Sequence, residues 1–261
     1  MELRMNGRNA LVTGGSKGIG LAIARSFAEA GANVAIVARQ QQGLDEARAA
    51  IAAAAKNTKV VTVAADVGTA DGCRKAYDAA HAAFGQLDVL VNNAGTSQRG
   101  PFVEISDELW QHDLDLKLFA AIRLCRLAFP GMVARRWGRI INILNVGAKA
   151  PQANGAPTAV SRAAGMALTK VLSGEGAPHN VLVNGLLVGN IESNQWVVRH
   201  SNEGKGRSLQ DFYGEMGKRI PMGRVGTAQE FANMALFLAS DAGSYVTGTA
   251  INIDGGLTPV V

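Results

Sequence analysis

Thr158 and Arg162 stand four residues apart in NGAPTAVSRAAG, residues 154–165. If that stretch enters a helix, the two share one face, so a hydroxyl and a guanidinium are expected to point into the same pocket or groove. A threonine hydroxyl donates a hydrogen bond but is a poor acid, and an arginine stays charged and rich in donors. The pair is suited to holding an oxygen-rich group and ill suited to releasing a proton. A second group of residues speaks of phosphate. In ALVTGGSKGIGLAIA, Gly14, Gly18 and Gly20 follow a short apolar run and lead into an Ala-rich segment. Glycines there allow a tight turn and a close backbone approach to a pyrophosphate, while the following helix offers unpaired N–H groups and a positive dipole end.

A second apolar run ends in VAIVARQ. A site selecting NAD places an acidic residue at that point to accept from the adenosine ribose. Arg39 stands there instead, with Lys17 in the glycine loop, and two cations favour a 2′-phosphate. NADP(H) is therefore expected over NAD(H).

These residues must be held by a sheet. Short β-branched runs alternate with longer Ala-rich stretches, the pattern of βαβ units around a parallel sheet. The pattern predicts strands over 9–13, 34–38, 60–64, 89–92, 139–144, 181–187 and 250–253, and helices over 19–30, 44–55, 71–84, 106–134, 158–174 and 228–239. The expected fold is a single α/β domain with a doubly wound parallel sheet. Residues 190–219 break the rhythm. They are polar, contain glycine and are long for a connection, and they follow the carboxyl end of a strand, where open α/β sheets bind ligands. They read as a lid over a substrate.

The 261 residues suffice for one sizeable core, and 48% hydrophobic with 18% charged residues argues against disorder. A net charge of +5 is spread without an arginine-rich tract, so no nucleic-acid partner is expected. Cys73 and Cys125 lack metal-site spacing and read as reduced packing residues. The first residues run directly into a strand, and no apolar run has membrane-spanning length, so a cytoplasmic protein without membrane partners is expected.

Further motifs identify a resemblance. They are TGGSKGIG at 13–20, ADV at 65–67, NNAG at 92–95, GRIINI at 138–143, VNGLLVG at 183–189 and YVTGTAINIDGG at 245–256. Along nearly its whole length the chain resembles the short-chain dehydrogenase/reductase family. The resemblance implies one Rossmann-like, NADP(H)-binding domain over residues 1–261, acting on a small-molecule substrate, and a homo-oligomer, expected as a tetramer. It implies cofactor contacts from Gly14, Ser16, Lys17, Gly18, Ile19 and Gly20. Asp66 would accept from the adenine amino group with Val67 beside the ring, and Asn93, Ala94 and Gly95 would line the adenosine side. Gly189 and the backbone of Ile191 would meet the nicotinamide carboxamide. Val188 replaces the proline common in the family before that glycine.

The resemblance also implies a catalytic asparagine, serine, tyrosine and lysine. Aligned residue by residue, those positions fall on Lys117, Asn145, Thr158 and Arg162, so all four are substituted. Arg162 is expected to anchor the nicotinamide ribose, and Asn145 to orient a carbonyl through its amide. Two replacement acids suggest themselves. Lys117, if buried near Arg162, would have its pKa lowered by burial and like charge. Tyr213 of the lid would reach the substrate on closure. His112 and His200 fall on no catalytic position of the family.

Three functions follow. The first is an NADP(H)-dependent oxidoreductase acting on a carbonyl or activated double bond through a non-standard active site, and this enzyme reading is preferred. The second is an NADP(H)-binding protein without turnover, a sensor or oligomer partner. The third is non-redox chemistry on the same fold. Halohydrin dehalogenases share arginine at the position of Arg162, but they keep the tyrosine and lose the glycine loop, the reverse of this sequence.

Overall fold

Strands β1 (Asn9–Thr13), β2 (Asn33–Ala38), β3 (Val60–Ala64), β4 (Val89–Asn92), β5 (Gly138–Asn145), β6 (Val181–Val188) and β7 (Ala250–Ile253) form one sheet in the order β3-β2-β1-β4-β5-β6-β7. Every pairing is parallel, with Val12 opposite Ile36 on one side and Val91 on the other. This computed structural model describes residues 3–203 and 206–261. The central strands are apolar throughout because helices cover both faces. Along β2, Val34 and Ile36 enter one core while Ala35 and Val37 enter the other, the two-residue period of a pleated strand.

The first core receives α1 (Gly18–Glu29), α2 (Gln41–Ala54) and α9 (Ala228–Ala239), with Phe27 and Phe231 fully buried. The second lies under α3 (Ala70–Phe84) and α5 (Ala120–Arg135). Cys73 and Cys125 are free and buried there, and burial pushes their thiols up to about 11 and about 12, so they behave as inert packing groups. Among the described residues, no helix is long and apolar enough to cross a membrane.

The single helix expected over 106–134 is corrected by the structure. It is α4 (Asp107–Leu114) and α5 joined by one wide π turn, Asp115–Phe119. Such a turn carries an extra residue per revolution and re-aims the side chains around it, which hydrophobic periodicity cannot register. Lys117 lies in it, buried.

The stretch 190–219 holds two helices, α7 (Asn194–Glu203) and α8 (Leu209–Gly217), not an irregular loop; Gly204 and Lys205 of that stretch lie outside the described residues. Phe212 is the reason, for its ring lies 6.5 Å from Trp196 and 5.6 Å from His200, pinning α8 against α7. Ser208 caps α8 by accepting from the Asp211 N–H at 3.1 Å. Remaining between β5 and β6 is α6 (Thr158–Gly176), the helix that begins with the opening pair.

Candidate active site

The chain leaves β3 at one edge and re-enters the sheet as β4 beside β1, so winding reverses between β1 and β4. Connections part there and open a crevice at the carboxyl ends of the strands. Thr13, the last residue of β1, ties the two sides together. Its Oγ1 accepts from the N–H groups of Asn93 at 2.9 Å and Ala94 at 3.0 Å. Asn93 answers by donating its amide to the Thr13 carbonyl at 2.8 Å and the Gly14 carbonyl at 3.2 Å. Gly14 and Gly18 have φ of 64° and 54°, and any side chain at Gly20 would collide with the Gly14 carbonyl. Lys17 precedes α1 without capping it, so the first N–H groups of that helix stay directed at the crevice.

Other sequence-identified positions surround this turn. Arg39 and Lys17 are exposed, and the start of α2 at Gly43 approaches Ser16 and Lys17. Asp66 is exposed and accepts from the Gly68 N–H at 2.9 Å. Val67 follows it, with its side chain buried in the second core.

Beyond β6, Asn190 and Glu192 pair with Gly226 through the bonds Gly226 N–H to Asn190 O at 3.0 Å and Glu192 N–H to Gly226 O at 2.8 Å. The Ile191 N–H and C=O therefore point the other way, and among the described residues they bond to no protein atom. Ser193 then passes over Gly18, and Gln195 donates to the Gly95 carbonyl at 3.3 Å, so α7 begins across the crevice.

Thr158 and Arg162 share a face of α6, and both are buried, at 4% and 9% exposure. The Arg162 guanidinium packs against the backbone of Gly95, where any side chain would strike it. Burial pulls the Arg162 pKa down to about 10, with Asp113 opposing the shift. Thr158 is fully engaged. Its Oγ1 donates to the Gln98 carbonyl at 2.7 Å and accepts from the Gln98 N–H at 3.0 Å and from Lys117 Nζ at 2.6 Å. One donor and two lone pairs are all that a hydroxyl has. With a methyl where a longer side chain would project, the turn at Gln98 closes over it.

Lys117 lies behind Thr158 and is paired with Asp113, itself 0% exposed. Burial, Arg162 and Arg99 push the Lys117 ammonium down to about 8, and Asp113 resists. Asp113 also accepts from Ser161 Oγ at 2.6 Å. Sequence reasoning missed both Asp113 and Ser161. The available signal was the Asp–Lys spacing of four residues in one helical segment.

Asn145 ends β5, and its side-chain oxygen is buried without a partner. Tyr213 lies elsewhere. Its phenol is at Ser193 and Glu192, near the glycine turn and away from the Thr158 cluster, and its pKa is raised chiefly by burial. His112 is exposed on α4, and the His200 ring is bonded to the Arg207 carbonyl at 2.7 Å.

Comparison with known proteins bears on all of this. The family model described as Enoyl-(Acyl carrier protein) reductase matches residues 14–258. The chain is 32% identical over 260 residues to a 3-oxoacyl-[acyl-carrier-protein] reductase of Aquifex aeolicus (strain VF5), covering 98% of this chain and 100% of that protein. It superposes with a TM-score of 0.95 on L-sorbose reductase from Gluconobacter frateurii, solved with NADPH and L-sorbose, at 34% identity and 100% coverage of both chains. An NADPH-dependent reductase involved in bacilysin biosynthesis gives a TM-score of 0.90 at 32% identity, covering 97% of this chain and 99% of that one.

Proposed function

The chain belongs to the short-chain dehydrogenase/reductase family, and from that premise we propose that it is an NADP(H)-dependent oxidoreductase of a carbonyl or activated double bond. Its active site has Lys117, Asn145, Thr158 and Arg162 at the family's catalytic positions. The observation that carries this reading is the crevice between β1 and β4, with its glycine turn, uncapped helix and Thr13 tie. These are the parts a dinucleotide needs.

The residues present fit that cofactor. The Gly14–Gly20 turn, with Ser16 and Ile19, would take the pyrophosphate, and Arg39 with Lys17 a 2′-phosphate, giving preference for NADP(H) over NAD(H). Asp66 would meet the adenine, with Val67, Asn93 and Ala94 at its side. The two unbonded backbone groups of Ile191 match the donor and acceptor of a carboxamide. Gly189 brings the chain against Asp254 just before that residue. Arg162, held against Gly95, would face the nicotinamide ribose. When bound, the nicotinamide supplies the hydride. Asn145 would orient the substrate oxygen, and the segment 190–219 would exclude water as a lid.

Relatives that reduce a 3-oxoacyl group or L-sorbose support a polar carbonyl substrate. The protein is further read as a cytoplasmic homotetramer, and the exposed Val160 and Val171 on α6 leave apolar surface for self-association. Sedimentation velocity would check the assembly.

Calorimetric titration tests the cofactor. NADPH is expected to bind at least ten times more tightly than NADH, and Arg39→Asp to abolish that ratio, about 1.4 kcal/mol per factor of ten. Equal affinities would remove the role given to Arg39, and no binding of either would sink the proposal. The second reading, cofactor binding without turnover, rests on the filled valences of the Thr158 hydroxyl. A double variant separates the two. Thr158→Tyr with Arg162→Lys restores the family's acid, and a rate of NADPH oxidation about 10²-fold or more above wild type with a 3-oxoacyl thioester or L-sorbose would favour the second reading. A wild type already matching that variant would show the site to be complete as it stands.

A further inference from the structure

Asp113 has no place in the chemistry described so far, yet it is completely buried and receives Lys117 Nζ and Ser161 Oγ. The charged groups facing Lys117 are Asp113 from α4, Arg162 from α6 and Arg99 from the turn after β4. Thus two cations and one anion surround a buried ammonium. Without Asp113 the lysine would lose its proton to burial and repulsion, and the side chain would lose the bond that aims it at Thr158. With Asp113, its charge and direction are both set.

We propose that Asp113 is the positioning residue of this site, holding Lys117 charged behind Thr158 so that the proton for the substrate oxygen runs from Lys117 through the Thr158 hydroxyl. The inference rests on the reductase reading. The substrate oxygen replaces the Gln98 carbonyl as the acceptor of the Thr158 proton. The alkoxide created by reduction takes that proton, Thr158 Oγ1 takes one from Lys117 Nζ, and Lys117 becomes a neutral amine. Asp113 keeps its charge and still accepts from that amine. Water recharges the amine once product leaves and the Gln98 turn opens. The relay explains why a poor acid at position 158 suffices, since it conducts a proton without having to store one.

Asp113→Asn keeps the shape and removes the charge. With NADPH and either probe, a 3-oxoacyl thioester or L-sorbose, kcat/KM of the wild type should fall as pH rises through about 8. In Asp113→Asn this limb should move at least about one pH unit lower, and kcat at pH 8 should drop about fivefold or more, with KM for NADPH within about twofold. Asp113→Glu, which retains the charge, should keep the limb near its original position. An unmoved limb in Asp113→Asn overturns the proposal.

A second readout needs no turnover. The folded Lys117 value lies below its ordinary 10.5, so its contribution to stability grows as pH rises from about 8 toward 10.5. In thermal unfolding, the rise should begin at least about one pH unit lower in Asp113→Asn. If the wild type turns over neither probe, the reductase reading fails, and this profile still decides whether Asp113 holds the proton on Lys117. Should Asp113→Asn not fold, Ser161→Ala loosens the same carboxylate with every charge in place. A three- to tenfold loss in kcat is expected (about 0.7–1.4 kcal/mol), with the limb moved slightly lower, and an unchanged profile counts against the relay.

Discussion

Lys117→Met is expected to lower carbonyl reduction by about 10²–10⁴-fold at pH 7, the usual loss of a positioned proton donor. The sign of the pH effect makes the test specific. With the charged lysine as the proposed donor, the wild-type rate should fall as pH rises through the lowered value of about 8. The residual rate of Lys117→Met should be flat across that range. The variant strands the fully buried Asp113 carboxylate, and breaking a buried pair from one side costs about 3–5 kcal/mol. Lys117→Met with Asp113→Asn removes both charges and should recover most of that stability without recovering turnover. NADPH affinity within a few-fold of wild type in both variants would place the defect in proton transfer. A wild-type rate in the double variant would exclude Lys117 as the donor.

Thr13→Val should produce the largest structural effect of a near-isosteric change. The hydroxyl accepts two backbone N–H groups, from Asn93 and Ala94, and a methyl accepts none. Each stranded donor costs about 1–3 kcal/mol, so a loss of about 2–6 kcal/mol is expected. In a chain of this size that lowers the unfolding midpoint by about 5–15 °C. Because the tie joins the glycine turn to the loop after β4, NADPH affinity should fall at least about tenfold. Thr13→Ser, which keeps the oxygen, should stay near wild type. Calorimetry with both unfolding and binding readouts separates the two consequences. Equal stability for Val and Ser would show that the N–H groups find other partners.

The crevice and the Thr158 cluster were legible to different degrees. β1, β3, β4 and β7 lie where the short β-branched runs placed them, because such runs bounded by turn residues mark strands at the centre and at the edges of a sheet alike. The glycine turn is equally local, since Gly14 and Gly18 carry positive φ whatever packs around them. Residues 190–219 announced themselves by length and polarity. α7 and α8 are both amphipathic, and contact between Trp196 and Phe212, sixteen residues apart, brings their apolar sides together.

What the sequence determined by itself was the parallel sheet, its doubly wound class and the glycine turn after β1. Each follows from short-range periodicity or backbone freedom. Only the tertiary structure decided how Lys117, Thr158 and Ser161 are placed. Lys117 faces Thr158 from 41 residues away, the Gln98 turn closes on Thr158 from 60, and Ser161 finds Asp113 from 48. The π turn that aims Lys117 inward leaves no mark in periodicity. Burial then sets the proton affinity of the cluster through charges that meet only after the chain has folded.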